Sequence, residues 1–298
     1  MPTLTIFTAT YNRRHLISRI YDSLKLQSNK DFEWLIIDDG SNDNTYKLFQ
    51  QYKNQKQNFR IRYYYQKNKG LIRSLNRGIK LAKGKYLIKL DSDDYFIENC
   101  IESIIQWINE IKNDPTIYAV GGLRVLPNGN PLKGVWPLIP SHSYIDASDL
   151  ERYKFKLDAD MTEAWSLQVL RKYHFPVWEG EKFAPEQIVF HQIALDGYKI
   201  RWYAKPLTIC EYQPEGLTLG ANKLEKENPM GYAMMYNQML NRKDLDFFCK
   251  TKIAMNHIAL SIVGKHPRYI FQSNSILHTF WGLIPGLLLS IRRYNQFK

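Results

Sequence analysis

A short apolar run leads directly into a group of acids in Tyr86-Leu87-Ile88-Lys89-Leu90-Asp91-Ser92-Asp93-Asp94. The first five of these residues are mostly apolar and predict a short buried strand. Three carboxylates follow directly, with a single serine among them. Ligands of open α/β sheets bind just beyond the carboxyl ends of the strands, so these acids stand where a binding site is expected.

The acids at the end of this strand predict a site for a divalent cation and a diphosphate. Negative charges this close together repel one another unless a cation or hydrogen-bond donors balance them. Carboxylate oxygens are the natural ligands of Mg²⁺ and Mn²⁺, and such an ion usually shares its coordination with substrate phosphates. An isolated Asp-x-Asp is more often a solvated acidic turn, and the upstream sequence must decide between these interpretations.

Two other chemistries do not fit the same residues. A calcium-binding loop would use Asp91, Asp93 and Glu102 as its first, third and last ligands. Tyr95 and Phe96, however, stand where that loop needs a ligand and a glycine. A phosphatase-type aspartyl nucleophile would lie on the first strand, whereas this motif ends the fourth predicted strand.

The composition is that of a globular protein with anionic partners. Of 298 residues, 44% are hydrophobic and 23% are charged, which excludes a disordered chain. The formal net charge of +12 favours phosphorylated substrates, an anionic membrane surface or nucleic acid as partners. Nucleic acid ranks last, because we find no Lys/Arg-rich run or nucleic-acid-binding motif.

The cysteines and the first residues predict a cytoplasmic protein. Cys100, Cys210 and Cys249 are odd in number and lack metal-ligand spacing, which is typical of free thiols in a reducing compartment. Met1 to Ile6 lack the basic and apolar regions of a secretory signal.

The hydrophobic pattern predicts strands that alternate with helices. The predicted strands cover residues 4–8, 32–37, 61–65 and 86–90. One helix follows Asn12 as N-cap, a second follows Asp43 as N-cap, a third runs from Gly70 to a C-terminal Gly84, and a fourth covers residues 97–111. This alternation predicts an α/β fold with a parallel, doubly wound sheet.

Three motifs, in this order and spacing, resemble those of the family 2 glycosyltransferases with the GT-A fold. They are Thr8-Ala9-Thr10-Tyr11-Asn12-Arg13, Ile37-Asp38-Asp39-Gly40-Ser41-Asn42-Asp43-Asn44-Thr45 and Asp91-Ser92-Asp93-Asp94. The resemblance covers residues 3–125 and extends more loosely to about residue 220. It implies a Rossmann-like, mostly parallel GT-A sheet, a nucleotide-sugar donor such as a UDP-sugar, a divalent metal (Mn²⁺ or Mg²⁺) and inversion at the anomeric carbon.

The resemblance also implies a set of binding residues: Thr8, Thr10, Asn12, Asp39, Arg73, Asp91 and Asp93. The first three would line the nucleotide pocket. Asp39 would accept a hydrogen bond from the base, and Arg73 would contact the diphosphate. Asp91 would meet the ribose and, with Asp93, hold the metal. Structural alternatives remain for two of them, since Asp39 could form a turn and Arg73 could be a solvated helix residue. Asp94 is expected to cap the following helix.

Displacement at the sugar requires a carboxylate that takes the proton of the acceptor hydroxyl. We assign this role to Glu186, with Glu181 in reserve, because Pro185 fits the first position of a helix where the family keeps its base. The family usually has two acids there, but Gln187 replaces the second. The alternative is that Glu186 only stabilises the first helical turn.

The chain is predicted to have two regions. Residues 1–220 would form the catalytic domain, with a nucleotide-sugar-binding half (1–125) and an acceptor half (126–220), and residues 221–298 would be a helical C-terminal extension. Arg201-Trp202 is similar to the end of the Gln-x-x-Arg-Trp motif of processive enzymes. Tyr198 stands where that motif has its glutamine, and the several transmembrane helices that accompany processivity are not predicted, so we expect a non-processive enzyme.

The last residues predict a membrane-associating tail. No acidic residue occurs from Gly264 to Lys298, and the stretch 276–291 is the most apolar of the chain. It is short for a bilayer span, and basic residues follow it, so we expect peripheral association with the anionic inner face of the cell membrane. Pro285 is expected to interrupt this helix. The alternative is a final helix packed on the catalytic domain.

Together these patterns predict a metal-dependent, inverting glycosyltransferase that transfers one sugar to a glycan or lipid-linked acceptor in cell-surface polysaccharide synthesis. One alternative is a sugar-nucleotide pyrophosphorylase, which would need a glycine-rich loop where Ala9-Thr10-Tyr11-Asn12 stands. The other is a membrane-associated scaffold that binds nucleotide without catalysis, and Gln187 is its only support.

Overall fold

The computed structural model describes residues 1–132, 135–140, 143–157, 161–211 and 221–297. Its internal contacts divide the chain into two units: Met1–His174 with Asp196–Gln213, and Phe175–Leu195 with Pro214–Lys298. The first unit contains the strands, and the second is built from helices.

The strands of the first unit form one mixed sheet. They are β1 (Leu4–Thr10), β2 (Phe32–Asp38), β3 (Arg60–Tyr65), β4 (Tyr86–Lys89), β5 (Tyr95–Phe96), β6 (Ile117–Val125), β7 (Tyr144–Ala147), β8 (Met161–Ser166) and β9 (Lys199–Ile209). Their order is β3-β2-β1-β4-β8-β6-β9-β5, and β7 pairs with β9. The strands β3, β2, β1 and β4 are parallel, whereas β8 is antiparallel to both of its neighbours. The β6 and β9 strands also pair in parallel. The predicted α/β fold is confirmed, and the strands that the sequence pattern predicts, β1 to β4, form one parallel part of the sheet.

Helices follow the parallel strands as predicted. In the first unit they are α1 (Arg14–Leu26), α2 (Thr45–Asn54), α3 (Leu71–Leu81), α4 (Cys100–Ile111) and α5 (Leu167–Leu170), with a 3-10 helix at Asp149–Phe155. The β2 strand is buried along its whole length, because a central parallel strand is covered on both faces.

Two predicted helix ends are wrong. The N-cap of α1 is Arg13, and the Asn12 side chain instead accepts a hydrogen bond from Asn42 N at 2.9 Å. The α3 helix ends at Leu81, so Gly84 is not its C-terminal residue. A Cβ atom on Gly84 would lie 2.6 Å from the backbone of Leu4, and the glycine therefore allows the chain to approach β1 closely.

The carboxylate of Asp43 serves two helices rather than the one predicted. Its Oδ1 accepts a hydrogen bond from Thr45 N at 3.1 Å, at the start of α2, although Asn44 occupies the N-cap position there. Its Oδ2 accepts one from Arg14 N at 2.9 Å, at the start of α1. Burial alone would raise the pKa of Asp43, but these hydrogen bonds lower it overall.

The second unit contains α6 (Gln187–Leu195), α7 (Ala221–Glu227), α8 (Pro229–Met239), α9 (Phe247–Val263), a 3-10 helix (Pro267–Gln272) and α10 (Ile276–Phe297). Segment 175–195 was predicted to belong to the catalytic domain, but it packs with these helices. The Trp178 ring lies 5.0 Å from that of Tyr269, and Asn228 Oδ1 accepts hydrogen bonds at 2.9 Å from the backbone of Lys182 and Phe183.

The last helix is continuous. The α10 helix runs for 22 residues with Pro285 inside it, so the predicted interruption is wrong. Gly282 and Gly286, on either side of the proline, both contact α9, and this packing maintains the helical path although Pro285 lacks an N–H to donate. Within the described part of the chain, no helix is both long and apolar enough to cross a membrane.

Candidate functional site

Apart from Arg73, the predicted nucleotide and metal residues lie on β1 or in the loops that follow three adjacent parallel strands. The β1 strand ends at Thr10, β2 ends at Asp38 and β4 ends at Lys89, and β1 lies between the other two. Asp39 N donates a hydrogen bond to Thr10 O at 2.8 Å, and Leu90 N donates one to Phe7 O at 2.9 Å. The loops after these strands therefore meet at one edge of the sheet, where a ligand site is expected.

Asn12 ties the first two loops together. Its backbone N–H donates to Ser41 Oγ at 2.9 Å, and its side-chain oxygen accepts from Asn42 N at 2.9 Å. Asn12 has a φ of 52°, a left-handed conformation that asparagine tolerates better than most residues. Asn12 therefore holds the loops after β1 and β2 together at the position where the nucleotide pocket is predicted.

The two threonines of β1 differ in their hydrogen-bonding capacity. Thr8 is fully buried, and its hydroxyl accepts a hydrogen bond from Trp34 Nε1 at 3.1 Å, which makes it a core residue. The hydroxyl of Thr10 is also buried, but it has no partner within the described residues. Thr10, and not Thr8, therefore retains a polar group that could contact a ligand.

Asp39 accepts hydrogen bonds from residues of the loop that directly precedes α3. Its Oδ1 accepts hydrogen bonds from Gln66 Nε2 at 2.7 Å and Lys69 N at 2.9 Å, and its Oδ2 accepts one from Gly70 N at 2.8 Å. An ionised carboxylate offers about four acceptor positions, so these contacts leave room for a further N–H donor such as that of a nucleotide base.

Asp38, rather than Asp39, forms the turn after β2, which was the structural alternative given for Asp39. This buried carboxylate accepts hydrogen bonds from Ser41 N at 2.8 Å and from the Tyr63 hydroxyl. Burial, together with the hydrogen bond to Asp38, raises the pKa of Tyr63. Arg73, on α3, donates from Nη1 to Lys69 O at 3.0 Å, in the loop directly before that helix, a local contact that agrees with its structural alternative.

Basic side chains balance the three acids after β4. Asp93 Oδ2 lies 2.6 Å from Arg13 Nη1. The nitrogen Arg124 Nη1 lies 3.1 Å from Asp91 Oδ2 and 3.2 Å from Asp94 Oδ2. Lys89 Nζ lies 3.6 Å from Asp91 Oδ1. None of these three cations was predicted to have a role in the site, and the place of Arg13 at the end of the first motif was the sequence signal for it.

The charges around the acids separate their pKa values. Burial would raise the pKa of Asp91, but Lys89 and Arg124 lower it overall. The pKa of Asp94 is raised to about 7, chiefly by burial and also by Asp91 and Asp93, while Arg124 opposes the shift. Asp91 is therefore a carboxylate at neutral pH, and Asp94 holds a proton more easily than Asp91 does.

The predicted role of Asp94 as a helix cap is wrong. The N-cap of α4 is Asn99, and Asp94 instead contacts Arg124 and accepts a hydrogen bond from the Cys210 thiol. The buried guanidinium of Arg124 attracts the carboxylate more strongly than a helix start five residues away.

The acids fit a metal ion that is shared with a substrate, and not one held by the protein alone. In the described ranges, no group of three or more His, Cys, Asp or Glu side chains is arranged to hold a metal ion. Asp91 and Asp93 remain partly exposed, with 31% and 19% of their side chains accessible. Mg²⁺ typically binds one or two carboxylates together with substrate phosphates, and these two residues match that donor set.

The two candidate bases lie in the second unit and differ in their surroundings. Glu181 Oε1 accepts a hydrogen bond from Met230 N at 2.8 Å, and its Oε2 accepts one from Gly231 N at 2.7 Å. The reserve residue therefore caps the start of α8. Glu186 is half-buried and directly precedes α6, which begins at Gln187 rather than at Pro185. Its carbonyl accepts a hydrogen bond from Val189 N at 3.0 Å.

Glu163 is a buried acid of the first unit that the sequence analysis did not consider as a site residue. It lies on β8, is 8% exposed and accepts a hydrogen bond from Trp165 Nε1 at 2.9 Å, with Arg152 Nη1 at 3.7 Å from its other oxygen. Burial raises its pKa to about 7, against the effect of Arg152. The sequence signal that could have identified this acid is a glutamate directly before the apolar residues Ala164 and Trp165.

Known proteins resemble this chain most strongly over the region that carries the site. A family model described as glycosyl transferase family 2 matches residues 5–157. An uncharacterized glycosyltransferase of Rickettsia felis is 40% identical over 107 residues, which are 36% of this chain and 17% of that protein. The GalNAc(5)-diNAcBac-PP-undecaprenol beta-1,3-glucosyltransferase of Campylobacter jejuni is 32% identical over 112 residues, 37% of this chain and 36% of that one. The chain thus spans only part of the length of these relatives.

Longer matches are more distant. The poly-beta-1,6-N-acetyl-D-glucosamine synthase of Staphylococcus aureus is 27% identical over 290 residues, 96% of this chain and 64% of that protein. Among solved structures, S. aureus TarS 1–349 in complex with UDP-GlcNAc has a TM-score of 0.64 at 18% identity, covering 100% of this chain and 80% of that one. The mannosyltransferase PcManGT of Pyrobaculum calidifontis, in complex with GDP-Man and Mn²⁺, has a TM-score of 0.56 at 17% identity, covering 99% and 83%. These structures share the fold, and the family match covers more than half of the chain, so the protein belongs to glycosyl transferase family 2.

Proposed function

We propose that this protein is a non-processive, inverting glycosyltransferase that transfers one sugar from a nucleotide-sugar donor, a UDP-sugar, to a glycan or lipid-linked acceptor in the synthesis of a bacterial surface polysaccharide. The observation that carries the proposal is the set of partly exposed acids and basic side chains at the ends of β1 and β4. Such an edge suits a diphosphate and a divalent cation together, since it offers both carboxylate oxygens and positive charge.

The comparisons support the donor and the acceptor class. TarS, whose fold this chain shares, has a solved structure in complex with UDP-GlcNAc. The similar Campylobacter protein is named for transfer to an undecaprenol-linked glycan. The S. aureus relative, which matches nearly the whole chain, is named as a polysaccharide synthase.

Six residues at this edge of the sheet have specific roles in this proposal. Asp93, with Asp91, would hold Mn²⁺ or Mg²⁺, which neutralises the charge that develops on a leaving diphosphate. Asp39 and Thr10 would bind the nucleoside, because the Asp39 carboxylate can accept a further hydrogen bond and the Thr10 hydroxyl can form one. Arg13 and Arg124 carry positive charge that can attract the phosphates once they bind.

The chemical step is a single displacement. The acceptor hydroxyl oxygen forms a bond to the anomeric carbon, and the bond from that carbon to the diphosphate oxygen breaks, so the diphosphate leaves with the electron pair. The hydroxyl proton passes to the Glu186 carboxylate, which acts as the general base. Glu181 is the weaker candidate, because both of its oxygens already accept backbone hydrogen bonds.

The proposed location is the inner face of the cell membrane, where the protein would be peripheral. The support is the charge of the last part of the chain: residues 221–298 contain eleven Lys or Arg and four Asp or Glu. Such a segment is attracted to anionic lipids, and a lipid-linked acceptor would be found at the same surface.

The test is a screen of nucleotide sugars with and without Mn²⁺. A ligand that binds the folded state raises the melting temperature, and a transferase without its acceptor slowly releases free nucleotide by hydrolysis of the donor. We expect stabilisation by one class of nucleotide sugar, in a metal-dependent manner, and release of its nucleoside diphosphate. Stabilisation without any nucleotide release, with or without candidate acceptors, would favour a non-catalytic scaffold. Absence of both effects would refute the proposed donor.

A further inference from the structure

The α10 helix packs through its smallest residues. Thr279, Gly282, Gly286 and Ser290 are buried, and their spacing of three or four residues places them on one face. A Cβ atom on Gly286 would lie 2.9 Å from Ile258 Cβ, and one on Gly282 would lie 3.3 Å from Met255 N. The backbone of α10 therefore lies directly against α9, without large side chains between the two helices.

The large apolar side chains of α10 point away from this contact. Each of the following is at least 40% exposed: Ile276, Leu277, Phe280, Trp281, Leu283, Ile284, Leu287, Leu288 and Ile291. We call this set the apolar face. Phe247 and Phe248 at the start of α9 extend it, with 42% and 76% exposure, and the Phe247 ring lies 6.5 Å from that of Trp281. A water-facing helix normally has the reverse arrangement, and a continuous exposed apolar surface indicates an interaction site.

A basic cavity lies at the C-terminal end of the apolar face. It has a volume of about 600 Å³ and is lined by α7 and the end of α10, including Lys223, Lys226, Arg292 and Arg293. Glu225 is the acid in its lining, and it forms an ion pair with Arg293, which also donates to Asn256 Oδ1 at 2.6 Å. Lys226 and Arg292 are exposed, so the cavity keeps a net positive charge that suits a phosphate group.

The acids of this region do not neutralise its positive charge. Glu225 pairs with Arg293, and Asp244 pairs with Arg242 at 2.6 Å. Asp246 caps α9 by accepting a hydrogen bond from Cys249 N at 2.7 Å, and Glu227 lies 3.9 Å from Lys223. The excess of eleven basic over four acidic residues in 221–298 therefore remains available to an anionic partner.

We propose that the apolar face and the basic cavity together form a docking surface for an anionic lipid bilayer. The α10 helix lies in the plane of the interface with its large apolar side chains among the acyl chains, and the cavity binds the phosphate of an anionic lipid headgroup. A second copy of this chain is the poorer occupant, because it would bring two regions of the same charge together. The inference deepens the proposed membrane location and rests on the proposed function only for its biological purpose.

The test is co-sedimentation of the full chain with vesicles of phosphatidylcholine containing phosphatidylglycerol, compared with phosphatidylcholine alone. The double variant Ile284→Glu/Leu288→Glu should weaken binding by at least about tenfold, because one buried leucine side chain alone contributes about that factor. Leu26→Glu/Tyr153→Glu, at residues of the first unit that are 67% and 62% exposed, is the control with equal added charge and should bind like the parent.

The cavity is tested separately with Lys226→Gln/Arg292→Gln. Two basic residues near an anionic leaflet contribute about 1 kcal/mol each, so this variant should bind about thirtyfold more weakly to the anionic vesicles. Lys47→Gln/Lys53→Gln, at exposed lysines of α2, is the control of equal charge. Loss of the preference for phosphatidylglycerol should accompany the first variant and not the second.

Three outcomes would overturn the inference. The full chain could fail to sediment with any vesicle, it could bind both vesicle types equally, or the Ile284→Glu/Leu288→Glu variant could convert an oligomer to a monomer with no change in vesicle binding. Release of nucleotide from the donor, measured without vesicles, should be the same in all variants. A protein that releases no nucleotide yet binds the anionic vesicles would refute the proposed function and leave the docking surface standing.

Discussion

The ion pair between Arg13 and Asp93 predicts that replacing Arg13 strengthens metal binding. The Arg13 Nη1 atom lies 2.6 Å from Asp93 Oδ2, and the two side chains are 22% and 19% exposed. A divalent cation on Asp93 would compete with Arg13 for the same carboxylate, because the two positive charges repel each other. Arg13→Ala removes the competitor and leaves the proposed ligand in place.

The size of the effect follows from the burial of the pair. A fully exposed ion pair contributes about 0 to 1 kcal/mol, and a hydrogen bond to a charged group about 1.5 to 3 kcal/mol. A pair that is four-fifths buried lies between these limits, at about 1 to 2 kcal/mol. The variant should therefore bind Mn²⁺ about 5- to 30-fold more tightly than the parent.

The assay is calorimetric titration of Mn²⁺ into the protein in the presence of saturating UDP, because the metal ion is expected to share its coordination with a diphosphate. Arg14→Ala is the matched control, because it removes one positive charge from the neighbouring residue, for which the structure shows no contact with the acids. Arg13→Lys keeps the charge and should stay close to the parent. Equal or weaker Mn²⁺ binding by Arg13→Ala would refute the reasoning and show that Arg13 does not compete for Asp93. A separate loss of affinity for the donor would assign Arg13 to the phosphates as well.

Three further predictions concern the acids. Asp93→Asn should abolish metal-dependent donor binding with little change in melting temperature, since it removes a ligand charge and keeps the shape, and unchanged donor binding in calorimetry would rule out the metal assignment. Glu186→Gln should leave donor affinity nearly intact and reduce turnover by a factor on the order of 10² or more, whereas near-normal turnover in a steady-state assay would exclude it as the base. Glu163→Gln should stabilise the protein at pH 8 but not at pH 4.5, because the parent loses stability as the pH rises from the ordinary value of 4.5 to the raised pKa of about 7. The difference is about 3 kcal/mol, because each unit between the two pKa values contributes about 1.4 kcal/mol, and chemical unfolding at both pH values measures it; a constant difference would show that Glu163 does not titrate as proposed.

Local patterns determined the first four predicted strands, which are the parallel strands β1 to β4. The apolar run before Asp91 and the helical periodicity of the following residues depend only on neighbours in sequence, because a strand or a helix face is defined by which side chains recur at period two or 3.6. The position of the acids beyond the end of β4 follows from the same pattern. The assignment of the chain to its family also depended on these short motifs, and the family match confirmed it.

Contacts between distant residues were decided only by the tertiary structure. Arg124 is thirty or more residues from Asp91 and Asp94 in sequence, and no local pattern shows that a strand inserted beyond β8 brings it to them. Glu181 has the residue type of a base, but its position opposite the start of α8 makes it a cap. Gly84 has the residue type of a helix end, but the approach of β1 explains it.

The α10 helix shows most clearly the difference between what the sequence reveals and what the tertiary contacts reveal. The order of amino acids alone shows that residues 276–291 are apolar and that basic residues follow them, since composition does not depend on which residues are in contact. It did not determine which side chains face outward, because an apolar helix can bury either its large or its small residues. The tertiary structure decided this through the contact of Gly282 and Gly286 with α9, which leaves Phe280, Ile284 and Leu288 on the surface. Close approach of two helix backbones is possible only at small residues, and this steric requirement is absent from any one-dimensional pattern.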